Sequence, residues 1–153
     1  MIEKVDLILA PTDFSPYSCE AFAWAGFFAK KFNAKILLLH VMSEATAEKV
    51  TSIPGNPWER VMEQEDKDMM DQFHLCLASD FDTTIDIETL VAVGTPHSKI
   101  IEVAEERNAS MIVMGTHGRT GIPHAVMGSV AEKVVQLAPC PVFSVKPTKA
   151  GTG

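Results

Sequence analysis

Gly115-Thr116-His117-Gly118-Arg119-Thr120-Gly121-Ile122-Pro123-His124-Ala125-Val126-Met127-Gly128-Ser129 is the stretch that decides how this chain folds. Before it stands a short apolar run, Met111-Ile112-Val113-Met114. After it comes a helix-like segment, Val130-Ala131-Glu132-Lys133-Val134-Val135-Gln136-Leu137. Strand, glycine-rich loop and helix start form the local architecture that cradles a phosphate. Glycine lets the backbone approach an anion with no Cβ in the way, and a helix N-terminus offers unpaired N–H groups and a partial positive charge.

Working outward, apolar runs alternate with helical patterns. Val5 to Ala10 reads as a strand. Ser15 and Pro16 open a helix, with a capping hydroxyl and a proline at the first helical position. That helix runs to about Phe32, with Trp24, Phe27, Phe28 and Lys31 spaced at three and four, and Asn33 stops it. Ala34 to Met42 is the clearest strand. Its continuous Ile36-Leu37-Leu38-Leu39 suits a strand covered on both faces. Ser43 to Pro57 reads as a long connection. Trp58 to about Ser79 reads as a helix with Met62, Met69, Phe73 and Leu77 on its apolar face.

Thr84 to Val93 is the third strand. Gly94-Thr95-Pro96 then starts a helix that ends near Asn108. Ser110 to Met114 is the fourth strand, Gly128 to Ala138 a helix, and Val142 to Lys146 the last strand. The alternation predicts an α/β fold, an open parallel sheet with helices on both faces. Residues 1–147 read as one domain and 148–153 as a loose tail.

Composition narrows the function classes. The chain has 153 residues, 46% of them apolar, and a net charge of −7. That balance argues against nucleic acid or an anionic membrane surface as a partner. No apolar run reaches the ~20 residues of a membrane span, and the N-terminus lacks a signal-peptide pattern. Cys19, Cys76 and Cys140 form no CxxC pair. They read as scattered, core-filling thiols of a reducing cytosol, with redox sensing as the alternative, so the expected location is cytoplasmic.

Open parallel sheets bind ligands beyond the carboxyl ends of their strands. The residues there are Pro11-Thr12-Asp13, Val41-Met42, Gly94-Thr95 and the loop from Gly115. An Asp13 carboxylate can accept hydrogen bonds from ribose hydroxyls; it equally suits a cap on the helix at Ser15 and Pro16. The backbone of Val41 can read an adenine edge, or Val41 can be plain core. Thr116, Arg119 and Thr120 add donors, although Arg119 equally suits an ordinary solvated residue, and Gly128-Ser129 brings amides and a hydroxyl toward a second phosphate. His40, inside a strand, reads as a hydrogen-bonded core histidine. His117 and His124 have no partners at metal-ligand spacing, and no metal site is expected.

Several enzymes are argued down by what the loop lacks. It is GxxGxxG, not the dinucleotide GxGxxG, and it follows the fourth strand. There is no GxxxxGK[ST] and no GxSxG. A phosphoacceptor aspartate after the third strand is replaced by Val93-Gly94-Thr95.

Five separated places together resemble the universal stress protein family: Pro11-Thr12-Asp13-Phe14-Ser15, His40-Val41, Val93-Gly94, Gly115-x2-Gly118-x9-Gly128-Ser129 and Pro139-Cys140-Pro141-Val142. The resemblance spans roughly residues 3 to 147, and the glycine spacing resembles the family's ATP-binding subgroup. It implies a five-stranded sheet of order 3-2-1-4-5. It implies an adenine pocket at Asp13 and Val41, beside Pro11 and Thr12. Ribose and phosphates fall on Met114, Gly115, Thr116, His117, Gly118, Arg119 and Thr120, and on Gly128, Ser129, Val130 and Ala131. It also implies ATP with Mg²⁺ or Mn²⁺ carried by the phosphates, and a homodimer through the edge strand Val142 to Val145.

Ile122-Pro123-His124 departs from the family's pattern and bears on the loop's shape. The expected function is a nucleotide-dependent stress or signalling module with slow or no hydrolysis, because no base or charge clamp is evident. The alternatives are a weak ATPase or a nucleotidyl or phosphoryl transferase using His117, His124 and Arg119, and a ligand-free dimeric scaffold. The sequence names no protein partner.

Overall fold

Both faces of the central strands are apolar, and the chain uses both. The computed structural model describes residues 4–77, 84–117 and 127–147. β1 (Leu7–Pro11), β2 (Lys35–Met42), β3 (Ile87–Val93), β4 (Met111–Gly115) and β5 (Val142–Val145) form one sheet of order β3-β2-β1-β4-β5. Every pairing is parallel. The expected α/β class and strand order are therefore what the chain adopts.

Alternation along the strands sends side chains to two cores. Ile8, Ala10, Ile36, Leu38 and Val113 pack on one face with α1 (Tyr17–Phe32) and α3 (Trp58–Leu77). Leu7, Leu9, Leu37, Leu39 and Ile112 pack on the other with α4 (Pro96–Glu106) and α5 (Ser129–Leu137). Phe22 and Phe73 are fully buried on the first face, their rings 5.5 Å apart. Gly26 of α1 lets α3 approach closely: a Cβ there would stand 2.6 Å from Leu77 Cδ2.

Several sequence expectations need correction. Residues 43–57 are not a plain connection. They contain α2 (Glu44–Thr51), capped by Ser43, whose hydroxyl accepts from the Thr46 amide. The helix is short and buries nothing, so it left no apolar stripe to read. On α1, Trp24 and Phe27 face outward, and the buried face is Ser18, Ala21, Phe22, Ala25, Gly26 and Ala29. Small residues let α1 lie close to the sheet, and the bulky aromatics sit on its flank with Phe143. On α3, Val61 rather than Met62 is the buried residue of the first turns.

Ser15 does not cap α1. Its hydroxyl is buried with no hydrogen-bond partner among the described residues, and the N-cap is Pro16. Asn33 does stop the helix, in the left-handed conformation at φ 54°.

The cysteine reading is also overturned. Cys19 and Cys76 form a disulfide, with Cα atoms 5.1 Å apart and 57 residues between them in sequence. Spacing held no hint of it, because the partners meet only when α1 and α3 pack side by side. Cys140 keeps a free, half-buried thiol whose pKa burial pushes up. Among the described residues no helix is long and apolar enough to cross a membrane.

Candidate functional site

The strand order reverses between β1 and β4, and a cavity of about 340 Å³ opens there at the carboxyl ends of the strands. Pro11, Thr12 and Asp13 line it from the end of β1, Leu39 and Val41 from β2, and Met114 to His117 from β4. Gly128, Ser129, Val130 and Ala131 close it from the start of α5. Twelve of the residues picked from sequence thus meet around one cavity. Gly118, Arg119 and Thr120 lie outside the described residues, as do Pro123 and His124.

The β1–α1 turn is held tightly. The Thr12 hydroxyl donates to Gln72 Oε1 at 2.8 Å and accepts the Phe14 amide at 2.9 Å. The Thr12 amide donates to the Leu39 carbonyl. The Thr12 carbonyl lies 2.9 Å from His40 Nδ1, so that ring nitrogen carries the proton. His40 is 8% exposed and packs on Phe14, with ring centroids 4.7 Å apart. It is the hydrogen-bonded core histidine that the sequence suggested. Phe14 sits at φ 64°, a strained conformation for a bulky residue. Asp13 Oδ1 accepts from the Ser15 amide at 2.9 Å and the Ser18 hydroxyl at 3.2 Å. Its carboxylate therefore organises the turn while lining the cavity.

Val41 owes its position to strand lengths. β1 pairs with β2 only as far as Pro11 against Leu39, while β2 continues to Met42 beside β3. The Leu39 carbonyl points toward β1, where it accepts the Thr12 amide. The Met42 carbonyl points toward β3, where it accepts the Gly94 amide. Backbone direction alternates along a strand, so the amide and carbonyl of Val41 point toward the β1 side, past the point where β1 ends. They face the cavity.

The opposite wall is built from the end of β4. Gly115 eases a close approach: a Cβ there would lie 3.3 Å from the Tyr17 carbonyl oxygen, a tight contact. Thr116 is 1% exposed, and its amide donates to the Val145 carbonyl at 3.0 Å. Its hydroxyl lies 2.8 Å from His117 Nδ1 and 3.4 Å from the Val145 carbonyl. Its carbonyl accepts the Gly128 amide at 2.6 Å. Thr116 therefore pins β4, β5 and α5 together, which is a structural use of groups the sequence suggested as ligand donors.

α5 starts at Ser129 with Gly128 as N-cap, extended and with no side-chain cap bond. Its first intrahelical bond runs from the Glu132 amide to the Gly128 carbonyl. The amides of Ser129, Val130 and Ala131 precede the helical ladder and carry the positive end of the helix.

Leu39, Ser18, Pro96 and Ile100 also line the cavity and went unread in the sequence. Pro96 and Ile100 are four apart on α4, one face of its first turns. That spacing was visible, but the strand-end rule pointed to Gly94 and Thr95 just before them. No group of three His, Cys, Asp or Glu side chains able to hold a metal is found among the described residues.

The model of the universal stress protein family matches residues 4–146. The chain belongs to the universal stress protein family. Universal stress protein MJ0531 of Methanocaldococcus jannaschii is 34% identical over 146 residues, 93% of this chain and 82% of that protein. Universal stress protein MJ0577 of the same organism is 29% identical, covering 91% of this chain and 93% of its own length. The solved structure of MJ0577 superposes with a TM-score of 0.74 at 26% identity, over 96% of this chain and 99% of that one. A universal stress protein solved in complex with cAMP has a TM-score of 0.68 at 23% identity, over 95% of this chain and 100% of its own. At that identity the likeness speaks for the fold.

Proposed function

We propose that this chain binds an adenine nucleotide in the cavity between β1 and β4 and works as a nucleotide-dependent stress-response module. One observation carries the reading: the cavity has an apolar slot edged by the Val41 backbone at one end and the amides that open α5 at the other. Leu39, Val41, Ile100 and Met114 suit a flat base. The Val41 carbonyl and amide match the donor and acceptor on one edge of adenine. Asp13, already oriented by Ser15 and Ser18, suits ribose hydroxyls. The α5 amides suit a phosphate, with Gly118, Arg119 and Thr120 proposed as further phosphate contacts. The universal stress protein solved in complex with cAMP, and another from Archaeoglobus fulgidus solved in complex with dAMP, agree with this ligand class.

ATP is the proposed physiological ligand. A divalent cation would travel on its phosphates and neutralise their charge. Hydrolysis is proposed to be slow or absent, since among the described residues no lysine or arginine lines the cavity to clamp transition-state charge. We also propose a homodimer through β5, which pairs with β4 on one side only and leaves an edge of backbone donors and acceptors. A cytoplasmic location fits the family reading, although the Cys19–Cys76 bond removes the support that unpaired cysteines would have lent.

Thermal unfolding with ATP–Mg²⁺, GTP–Mg²⁺ and no nucleotide tests the reading. Ligand at 100 times its dissociation constant adds about 2.7 kcal/mol, or roughly 5–10 °C for a chain of this size. A shift with ATP and little with GTP is expected. Equal shifts, or none in protein stripped of nucleotide, would overturn it.

A further inference from the structure

One face of α3 is devoted to the turn that builds the cavity. Glu65, Met69, Gln72 and Cys76 follow at intervals of four, three and four, so they share a stripe. Met69 fills the core. The other three reach the β1–α1 turn or its surroundings. Glu65 Oε2 is 3.9 Å from His40 Nε2, and His40 holds the Thr12 carbonyl. Gln72 accepts from the Thr12 hydroxyl at 2.8 Å and donates from Nε2 to the Ser15 carbonyl at 3.3 Å. Cys76, one turn further on, is bonded to Cys19 in the first turns of α1. Gln72 itself does not line the cavity, but Thr12, Asp13 and Ser18 do.

Phe14 shows why such a brace is needed. Its φ of 64° is unfavourable, and its amide is held by the Thr12 hydroxyl, the same hydroxyl that Gln72 grips. A strained residue keeps its conformation only while its surroundings enforce it. Releasing Gln72 lets Phe14 relax, and Asp13 next to it then loses its fixed place at the ligand.

We propose that Gln72 is a positioning residue for the nucleotide site and that the Cys19–Cys76 disulfide is a redox latch holding it there. This rests on the nucleotide reading above. Reduction consumes two electrons and two protons. A dithiol reductant breaks the Cys19 Sγ–Cys76 Sγ bond, each sulfur leaves as a thiol, and the reductant closes to its own disulfide. The end of α3 is then held to α1 by packing alone, the Gln72 contacts loosen, and nucleotide affinity falls.

The test is calorimetric titration of ATP–Mg²⁺ and AMP into the full chain, oxidised and after dithiothreitol, for wild type, Gln72→Met and Gln72→Glu. Methionine keeps the shape and loses both hydrogen bonds. Glutamate keeps the acceptor for Thr12 and loses the donor to Ser15. Reduction is expected to weaken binding about five- to tenfold in wild type, the scale of one lost preorganising hydrogen bond. Oxidised Gln72→Met is expected to be weakened by a similar factor and Gln72→Glu by less. Reducing Gln72→Met should add little, because latch and glutamine act on one contact.

Equal affinity of oxidised and reduced wild type would overturn the proposal. So would full, independent additivity of reduction and Gln72→Met. If oxidised wild type binds neither nucleotide, the nucleotide reading fails. The brace is then judged by amide hydrogen exchange at Phe14, Ser15 and Ser18. Faster exchange on reduction supports it, and unchanged exchange overturns it.

Discussion

Replacing Glu88 by glutamine isolates an electrostatic clamp that holds the helical wall of the cavity. Glu88 lies on β3, where Arg107 at the end of α4 grips it with two hydrogen bonds of 2.8 Å and Lys35 of β2 approaches to 2.8 Å. First the Arg107 hydrogen bonds, then that of Lys35, lower the Glu88 carboxyl from 4.5 to about 2. Taken whole, a shift of that size is worth about 3.4 kcal/mol. The side chains of Glu88 and Arg107 are each 35% exposed, however. Solvent screening reduces the figure to about 1 kcal/mol.

The sign follows from the direction of the shift. A carboxyl depressed in the folded state stabilises fully above its unfolded pKa near 4.5. That contribution drains away as pH falls toward the folded value near 2. Urea unfolding of wild type and Glu88→Gln at about pH 7 is therefore expected to differ by about 1 kcal/mol, or roughly 3 °C in Tm. Less than half of that difference should survive at about pH 3, and roughly 1 M NaCl should shrink it at neutral pH. A difference that stays constant from pH 7 to pH 3 would refute the electrostatic account.

Ser129→Pro separates ligand binding from folding. Ser129 is the first residue of α5, a position proline favours, and Gly128 before it already has the extended φ −69°, ψ 155° that a following proline requires. Stability by thermal unfolding is expected to be unchanged or slightly raised, while calorimetric affinity for ATP falls about five- to tenfold through loss of one phosphate-facing amide. Phe73→Ala removes a fully buried ring that packs on Phe22. It is expected to cost about 3–5 kcal/mol in urea unfolding, and a loss below about 1 kcal/mol would show that this core is loosely packed.

The fold was legible because its strands carry unmixed apolar runs and each is followed by a turn signal. Ile36 to Leu39 reads as a doubly covered strand and is one, and the apolar run Met111 to Met114 reads as a strand whose residues also enter both cores. The cavity was legible for a related reason: in a parallel sheet the ligand-facing residues immediately follow the strands, so sequence position stands in for spatial position. That logic found Asp13, Val41 and Gly115, while Gly128 was read from the glycine loop that opens α5. It missed Pro96 and Ile100, which enter from a helix face one turn further on.

Three features had no sequence signal because they are tertiary. The partnership of Cys19 with Cys76 exists only through the packing of α1 on α3. The use of Thr116 as a pin depends on β5 arriving beside β4. The outward turn of Trp24 and Phe27 follows from which side of α1 meets the sheet, and small residues won that contact. The helix at Glu44–Thr51 escaped for the opposite reason, since it buries no residue and so carries no periodicity.

Backbone chemical-shift mapping during titration with AMP tests the central claim most directly, because it reads the two ends of the proposed site separately. The account predicts that the amides of Val41, at the base edge, and of Ser129, Val130 and Ala131, at the phosphate, move together and saturate together, whereas GMP moves the second group alone or neither. Large shifts confined to surfaces away from β2 and α5, or no shifts at saturating AMP, would contradict it.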